Sequence, residues 1–394
     1  MASHSSSLAR PPAFRSVGRS LLLTLPIALW TLLMFTPTLR QAGRDNRVGA
    51  VAVMVFMIWL FYMMMRTGTT YRWRRVFFVA LGFLFPVGFI AALIAVRGTM
   101  SIPIERMVSG DTPFCFMVTP MILLPAAFTR SVIFPGSILP TASNPHSIAA
   151  MIGIWLAMTL VLGKGWCAYT CFFGGIEEGF AAAAKRIRLR KPLLRFGPKL
   201  RLGPWAVLIF VVVVSAAILE PVYCTWMCPF KAVTEYPAVH SVESAIQMVI
   251  FIGLFAGLVV ALPILTKKRT QCAFFCPFGA FQSLFNKINL FEIRFNREKC
   301  VDCTLCQTAC PTLALSAASI REGKTLLNCM KCGACVDSCK KDAAVWHLKG
   351  TAVAVRPERA RLLFLYSAWA MATMFGGGIL ANSLATMLHW LPWK

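Results

Sequence analysis

Charged residues are scarce in this sequence, and acidic residues are the scarcest of them. Only 14% of the 394 residues are charged, whereas 58% are hydrophobic and the mean hydropathy is +0.68. So little charge is typical of a membrane protein. The 15 acidic residues face 40 lysines and arginines, which gives a net charge of +25. Because these cations lie in loops between apolar runs, they predict membrane orientation and contact with membrane lipid, and we expect no nucleic acid partner.

Several common cofactor motifs are also missing. The sequence has no C-x-x-C-H for covalent haem, no P-loop and no G-x-G-x-x-G. None of its five histidines lies in the middle of an apolar run, which argues against a haem held between helices. The apolar runs contain almost no ionisable residue, which argues against an ion transporter. These absences argue against the commonest haem, nucleotide and ion-transport functions.

Seven apolar runs are long enough to cross a membrane, for which a helix needs about 20 residues. They are residues 21–38, 48–65, 76–96, 147–163, 204–220, 244–265 and 361–383. Lysine and arginine are concentrated in alternate loops, and the positive-inside rule places these loops and the N-terminus in the cytoplasm. The sequence therefore predicts a multi-pass protein of the bacterial inner membrane. A further apolar run, 113–128, contains Pro120 and Pro125, and we expect it to re-enter the outer side without crossing. If this run crossed the membrane, every loop after it would lie on the opposite side from the one predicted here.

Changes in composition divide the chain into five regions. Residues 1–100 supply the N-terminal membrane helices, 101–146 an outer loop with the re-entrant segment, 147–296 a membrane core, 297–350 a polar and cysteine-dense domain, and 351–394 a C-terminal membrane helix. The predicted fold class is mainly α: a polytopic helical membrane protein with a small cytoplasmic domain inserted before its last span.

Eight of the 15 cysteines form two runs in the polar domain, "CVDCTLCQTACP" and "CMKCGACVDSCK". In this spacing three close thiolates hold one cubane, and the fourth reaches the other cubane. We therefore assign Cys300, Cys303, Cys306 and Cys339 to one [4Fe–4S] cluster. The second cluster is assigned to Cys329, Cys332, Cys335 and Cys310. The domain is thus predicted to be a bacterial-type 2[4Fe–4S] ferredoxin rather than a zinc or disulfide domain.

Three lysines accompany the second run: Lys331, Lys340 and Lys341, of which Lys340 stands where a proline is usual. Positive charge here would favour the reduced cluster and suit an acidic redox partner. A solvated basic face is the simpler alternative for each lysine.

Three C-x-x-x-C pairs follow apolar runs: Cys167/Cys171, Cys224/Cys228 and Cys272/Cys276. Residues four apart share a helix face, so each pair is expected to present two sulfurs together. The first and third pairs fall on the cytoplasmic side, where four thiolates could converge on a further metal or cluster. The second pair falls on the outer side, where a disulfide is an alternative, or folds inward on a re-entrant turn. Buried structural cysteines are the other explanation for all six.

The pairs and the two cluster runs together resemble the NapH/NosR-type membrane polyferredoxins. The resemblance covers residues 145–350 and is most specific in "YCTWMCPFK", "QCAFFCPFGAFQSL" and the two runs. It implies an inner-membrane protein that moves electrons between the quinol pool and a partner enzyme or maturation pathway. "WCAYTCFFGG" lacks the proline of the other pairs, and three pairs stand where two are usual, so the pathway stays open.

We therefore predict a membrane-bound iron–sulfur electron-transfer protein that links the quinone pool to a partner redox enzyme through two [4Fe–4S] clusters. The alternative is a redox-active maturation or regulatory factor, which reduces a metal or senses redox state without sustained electron transfer. The residues placed nearest to a quinol on the outer side are His146, Glu220 and His240.

Overall fold

The computed structural model describes residues 16–97, 101–102, 148–186, 194, 197–218, 222–234, 236–351 and 357–390. The segment 113–128, for which we expect a re-entrant turn, lies outside the described residues.

Three long helices begin the described chain: α1 (Val17–Gln41), α2 (Arg44–Thr67) and α3 (Tyr71–Arg97). The Ser16 side chain caps α1 by accepting the Arg19 N–H, and Gly68 ends α2 with a φ of 70°. That left-handed conformation favours glycine. Several leucines on one side of α1 are exposed, as expected where a helix faces lipid. A two-residue strand, β1 (Ser101–Ile102), follows.

A bent helix pair follows, made of α4 (Ile148–Leu162), a 3-10 turn (Gly163–Gly165), α5 (Trp166–Tyr169) and α6 (Phe172–Arg186). Its two halves meet at 44°. The predicted span 147–163 ended too early, because helix continues past Lys164. This cation is buried, and its Nζ donates to Ser283 Oγ at 3.0 Å. The hydrogen bond to Ser283 of a distant helix thus stabilises a buried charge at the end of the apolar run.

The next helices of the membrane part are shorter or interrupted. A 3-10 turn (Pro198–Leu202) leads into α7 (Gly203–Ile218), and a π turn (Tyr223–Met227) precedes α8 (Lys231–Thr234). Strand β2 (Tyr236–Pro237) pairs with β1 in parallel. Then come α9 (Val242–Leu254), a π segment (Phe255–Ala261), α10 (Leu262–Thr266), α11 (Thr270–Phe274) and α12 (Pro277–Leu284).

The cysteine-dense domain, residues 291–348, is framed by one antiparallel strand pair. Strands β3 (Phe291–Phe295) and β4 (Ala344–Leu348) are in register from Phe291 opposite Leu348 to Phe295 opposite Ala344. Three short helices lie between them in sequence: α13 (Leu305–Ala309), α14 (Ala317–Arg321) and α15 (Ala334–Ser338). The last span then consists of α16 (Pro357–Ala372), a π turn (Thr373–Gly377) and α17 (Gly378–Trp390).

Six described helices are long and apolar enough to cross a membrane, and the bent pair brings the number to seven. The predicted fold class, a polytopic helical protein of about seven spans with a ferredoxin-like domain before the last, is confirmed in its helical and domain content.

Glycines let α3 and α6 touch backbone to backbone. A Cβ on Gly82 would overlap the Ile176 nitrogen, and a Cβ on Gly175 would overlap the Phe78 carbonyl oxygen. Small residues allow this close approach in membrane helices. The contact holds α6, and with it the break between α5 and α6, against α3.

The cysteine-dense domain caps the start of α3. The Asp337 carboxylate accepts the backbone N–H groups of Thr70 at 3.2 Å and Tyr71 at 2.7 Å. These amides are the first of α3, where the helix dipole favours a negative charge.

The same domain also contacts the end of α4 and the start of the last span. Lys331 Nζ donates to the Leu162 carbonyl oxygen at 3.2 Å. Trp346 stacks on Phe364 of α16 with ring centroids 4.4 Å apart. The start of α3 and the end of α4 therefore meet the domain on one side of the helical part.

Candidate metal centres

The two cysteine runs fold as the same backbone twice. Positive φ angles occur two and four residues after the first cysteine of each run, and three residues after the last. Non-glycine residues hold such angles only where the surrounding structure imposes them, which is a feature of ligand-binding loops. The residues, with φ of 48–83°, are Asp302, Thr304 and Leu313 in the first run, and Lys331, Gly333 and Asp342 in the second.

The first cavity, of about 120 Å³, is lined by four cysteines: Cys300, Cys303, Cys306 and Cys339. These are the cysteines that the spacing assigns to one cluster. Burial is the main reason that the pKa of Cys306 is raised to about 11, and the thiolates of the other three raise it further. The cavity opens toward solvent, where Cys303 is exposed.

The second cavity, of about 10 Å³, is lined by the other set: Cys310, Cys329, Cys332 and Cys335. All four are buried. Burial raises the pKa of Cys332 to about 12, and the Arg74 guanidinium of α3 opposes that rise. This cavity therefore faces the membrane helices, whereas the first faces solvent.

Backbone N–H groups donate to the last sulfur of each run. Ala314 donates to Cys310 Sγ at 3.2 Å, and Ala343 donates to Cys339 Sγ at 3.3 Å. Such bonds tune the potential of an iron–sulfur cluster, and four cysteine sulfurs are the donor set of a [4Fe–4S] cubane, one for each iron. The residues of both cavities fit that group. No three His, Cys, Asp or Glu side chains among the described residues are placed to share one metal ion.

Each of the first and third C-x-x-x-C pairs straddles a break between helices, so the expectation of a shared helix face is wrong. Cys167 lies in α5 and Cys171 follows it, before α6 begins. Cys272 lies in α11, and Cys276 caps α12. In both pairs the second cysteine's N–H bonds to the carbonyl five residues earlier, at 3.3 and 2.8 Å. The break forms with or without a following proline.

The break repeats the geometry found at the end of each cluster run. Cys276 (φ −70°, ψ 109°) and Cys228 (φ −80°, ψ 108°) have nearly the backbone angles of Cys310 (φ −65°, ψ 116°) and Cys339 (φ −81°, ψ 107°). A proline follows three of these four and favours extended backbone before it. Cys276 Sγ also accepts an N–H, from Gly279 at 3.3 Å. The second and third membrane pairs thus reproduce the local turn that presents the last sulfur of each cluster run.

The guanidinium of Arg269 joins the first and third pairs. Its Nη2 donates to Cys272 Sγ and to the Cys167 carbonyl oxygen, both at 3.0 Å. Burial raises the pKa of the Cys276 thiol, and the nearby Cys167 and Cys171 raise it further. The structure therefore brings together the four cysteines that we expected to converge.

Arg269 also reaches the second cavity. Its Nη1 donates to Met330 Sδ at 2.9 Å, and its backbone N–H donates to the Pro311 carbonyl oxygen at 2.9 Å. Met330 and Pro311 both line that cavity. One fully buried side chain thus connects the membrane cysteines with the cysteine-dense domain.

A buried charge network surrounds this arginine, and the sequence reasoning missed it. Arg74 pairs with Glu178, while Arg269 lies 3.8 Å from the Glu177 carboxylate and 3.7 Å from that of Glu178. The only available signal was two adjacent acids in a chain that has 15. Paired charges inside a membrane bundle commonly mark a functional region.

The second pair, Cys224/Cys228, packs against the other two pairs. Gln271 Nε2 donates to the Tyr223 hydroxyl at 3.1 Å, and Phe230 stacks on Phe173 with centroids 3.9 Å apart. Of the two placements left open, the structure has the inward-folded one. No disulfide forms among the cysteines that the structure describes.

Two further groups are not assembled as expected. Lys331 is buried, whereas Lys340 and Lys341 are exposed beside the first cavity, so the expected three-lysine cluster is wrong. Of the three residues placed near a quinol, His240 is exposed. The other two, His146 and Glu220, lie outside the described residues.

Two family models match parts of the chain. A 4Fe-4S dicluster domain matches residues 292–340. A 4Fe-4S binding domain matches three segments, 144–191, 202–242 and 248–298. Each of those segments contains one C-x-x-x-C pair.

Curated relatives cover the same region. An uncharacterised protein of Methanocaldococcus jannaschii is 28% identical over 50% of this chain and 77% of its own length. YccM of Escherichia coli, a candidate electron transport protein, is 22% identical over 59% of this chain and 63% of its own. The ferredoxin-type protein NapH of Escherichia coli is 26% identical over 34% of this chain and 47% of its own. The alignments with YccM and NapH thus span less than two thirds of those proteins. No solved structure matches the chain.

The fold, the cysteine sites and the family models define a helical membrane protein with 4Fe-4S domains. More particularly, the chain is similar to membrane-associated 4Fe-4S ferredoxin-type proteins, and the resemblance to NapH/NosR-type polyferredoxins is confirmed.

Proposed function

We propose that the chain carries electrons between the membrane and a soluble redox partner. The observation that carries this proposal is the order of the cysteine groups. The membrane cysteines contact Arg269, Arg269 contacts the lining of the buried second cavity, and the first cavity opens to solvent. Electron transport through iron–sulfur centres needs such a series of close sites. When bound, each [4Fe–4S] cluster supplies one-electron chemistry.

The proposed ligands of the ferredoxin clusters are those assigned from the spacing. Cys300, Cys303, Cys306 and Cys339 hold the solvent-facing cluster, and Cys329, Cys332, Cys335 and Cys310 hold the membrane-facing one. The cavity linings support both sets.

We further propose a third metal site at Cys167, Cys171, Cys272 and Cys276. Two observations support it. Arg269 contacts Cys167 and Cys272 of the two pairs, with Cys276 close to Cys167 and Cys171. Cys276 also repeats the backbone and the N–H to sulfur bond of a cluster-run cysteine. Cys224 and Cys228 lie against this group and complete the set of candidate ligands.

Iron and acid-labile sulfide per chain test these assignments on anaerobically purified protein. We expect about twelve irons in the natural chain and about eight when the four membrane cysteines are replaced by serine, since a cubane holds four. The matched control replaces Cys115, the cysteine that belongs to none of the pairs or runs. About eight irons in the natural chain and in every variant would contradict the third site only. Fewer than about eight in the natural chain would contradict the two ferredoxin clusters.

The quinone pool is the proposed partner inside the membrane, because a lipid-soluble carrier reaches sites among membrane helices. The ferredoxin domain is proposed to be cytoplasmic in the bacterial inner membrane. It contacts the basic start of α3 at Thr70 and Tyr71 and the loop that holds Lys268, and positively charged segments stay inside.

A quinol analogue separates this proposal from a maturation or regulatory factor. Reduction of the natural chain by the quinol, faster than in the four-serine variant, would support a conduit. Absence of reduction across quinols of different potential would favour the second function.

A further inference from the structure

We propose that the rim of the first cavity is the docking surface for an acidic redox protein. The inference rests on the proposed function, because it identifies where the soluble electron partner binds.

The rim carries an excess of positive charge. Asp302 is the one carboxylate in the lining, and it is already paired with Arg297 at 3.0 Å. None of the lining cations forms an ion pair with another described residue. They are exposed and comprise Lys299, Arg321, Lys340 and Lys341. A ring of unpaired cations attracts a partner that carries negative charge.

The centre of the rim has what an electron-transfer contact needs. Cys303 is exposed, so a ligand sulfur reaches the surface. Val301 beside it is 60% exposed and offers a small apolar contact. Transient redox complexes bury little area and depend on charge for steering, which fits this arrangement.

The half of the domain that contains the second run cannot pass electrons directly to a soluble partner. The second run lies against the membrane helices through Asp337, Lys331 and Met330. Its four cysteines are buried. Every residue that lines the first cavity, in contrast, belongs to the cysteine-dense domain.

Anionic lipid is the other surface that a ring of cations could meet. A protein partner is favoured because the cations surround an exposed cysteine of a redox site, whereas the contacts with the helical part are made elsewhere on the domain.

The test uses the full chain in nanodiscs of neutral lipid and two soluble probes, an acidic flavodoxin and basic cytochrome c. The variant is K340E/K341E. The matched control, K287E/R359E, makes the same charge change at exposed residues that do not line the cavity. Binding is measured at low and high salt. Electron transfer is measured separately: one electron leaves the reduced chain and enters the flavin, and no covalent bond forms or breaks.

We expect flavodoxin to bind the natural chain and to lose affinity as salt rises. At low salt K340E/K341E should bind about tenfold more weakly, and the control within about twofold of the natural chain. Cytochrome c should bind K340E/K341E better than the natural chain. Equal loss in both variants, or no loss in either, would overturn the proposal.

Two further measurements separate the alternatives. If K340E/K341E keeps its affinity for flavodoxin but binds anionic vesicles more weakly than the control, the rim is a lipid surface and the proposal is wrong. Iron per chain is determined for each sample. Full iron with unaltered flavodoxin binding contradicts the docking surface alone, whereas missing iron in the natural chain contradicts the proposed function.

Discussion

Arg269 holds three parts of the molecule at once. Its guanidinium contacts Cys272, Cys167 and Met330, while Glu177 and Glu178 balance its charge. A planar fork of donors can make these contacts together, and a lysine ammonium cannot. A positive donor beside a sulfur also favours the reduced, more negative state of a bound centre.

Replacing Arg269 by lysine should keep the positive charge but remove some of the guanidinium hydrogen bonds. Loss of a charged hydrogen bond of about 1.4 kcal/mol should lower the midpoint potential of the membrane cysteine centre by roughly 60 mV. Redox titration followed by electron paramagnetic resonance measures the shift.

The matched control is R201K, whose guanidinium donates to the Leu315 carbonyl oxygen in the lining of the second cavity and not to a cysteine of the membrane pairs. An unaltered potential in R269K with full iron would reduce Arg269 to a structural role. R269Q should destabilise the fold by about 3–5 kcal/mol, because it leaves the buried Glu177 carboxylate without its cation.

At the scale of elements, the crossing of α3 and α6 depends on glycine. Gly82→Ala should force the helices apart and lower stability by about 1–3 kcal/mol, since the new Cβ meets backbone that cannot move aside. Gly253→Ala in α9 is the matched control, because nothing lies within 4 Å of its Cβ. Thermal unfolding in detergent compares the two. Equal melting temperatures would show that the crossing tolerates a side chain.

The sequence was informative about most elements but not about their breaks. Apolar run length located the spans, because a membrane imposes that length on a helix. The predicted span 147–163 stopped short of Tyr169, where the helical turns end, because the Lys164 charge is satisfied by Ser283 from a distant helix. The break after Cys167 has no proline to signal it, and depends on how α6 packs on Gly82 of α3.

At the scale of the whole molecule, the two ferredoxin sites differ in access. The first cavity opens to solvent at Cys303, whereas the cysteines of the second are buried against the membrane helices. A soluble iron chelator under air should therefore remove iron in two phases, and about four irons should leave in the faster one.

Replacing one matched cysteine in each run by serine shows which cluster loses its iron in which phase. Cys303→Ser should abolish the fast phase, and Cys332→Ser should remove about four irons from the slow phase, which also contains the iron of the proposed membrane centre. A single phase in the natural chain would contradict the difference in access.

Spacing alone was enough to propose both ligand sets, because each run carries its own thiolate pattern. It could not say which run faces the membrane, since the two patterns are the same. That choice depends on long-range partners. Asp337 of the second run meets the first amides of α3, and the equivalent residue of the first run, Thr308, is exposed.

Because Asp337 caps α3, the ferredoxin domain and the membrane helices depend on each other and are not separate modules. An excised ferredoxin domain would lose the amides that its carboxylate binds and the carbonyl that Lys331 binds. The membrane helices would in turn lose the groups that finish two of their ends. We therefore expect iron insertion into the second run to depend on a completed helical bundle, which would join cofactor delivery and membrane assembly in one maturation step.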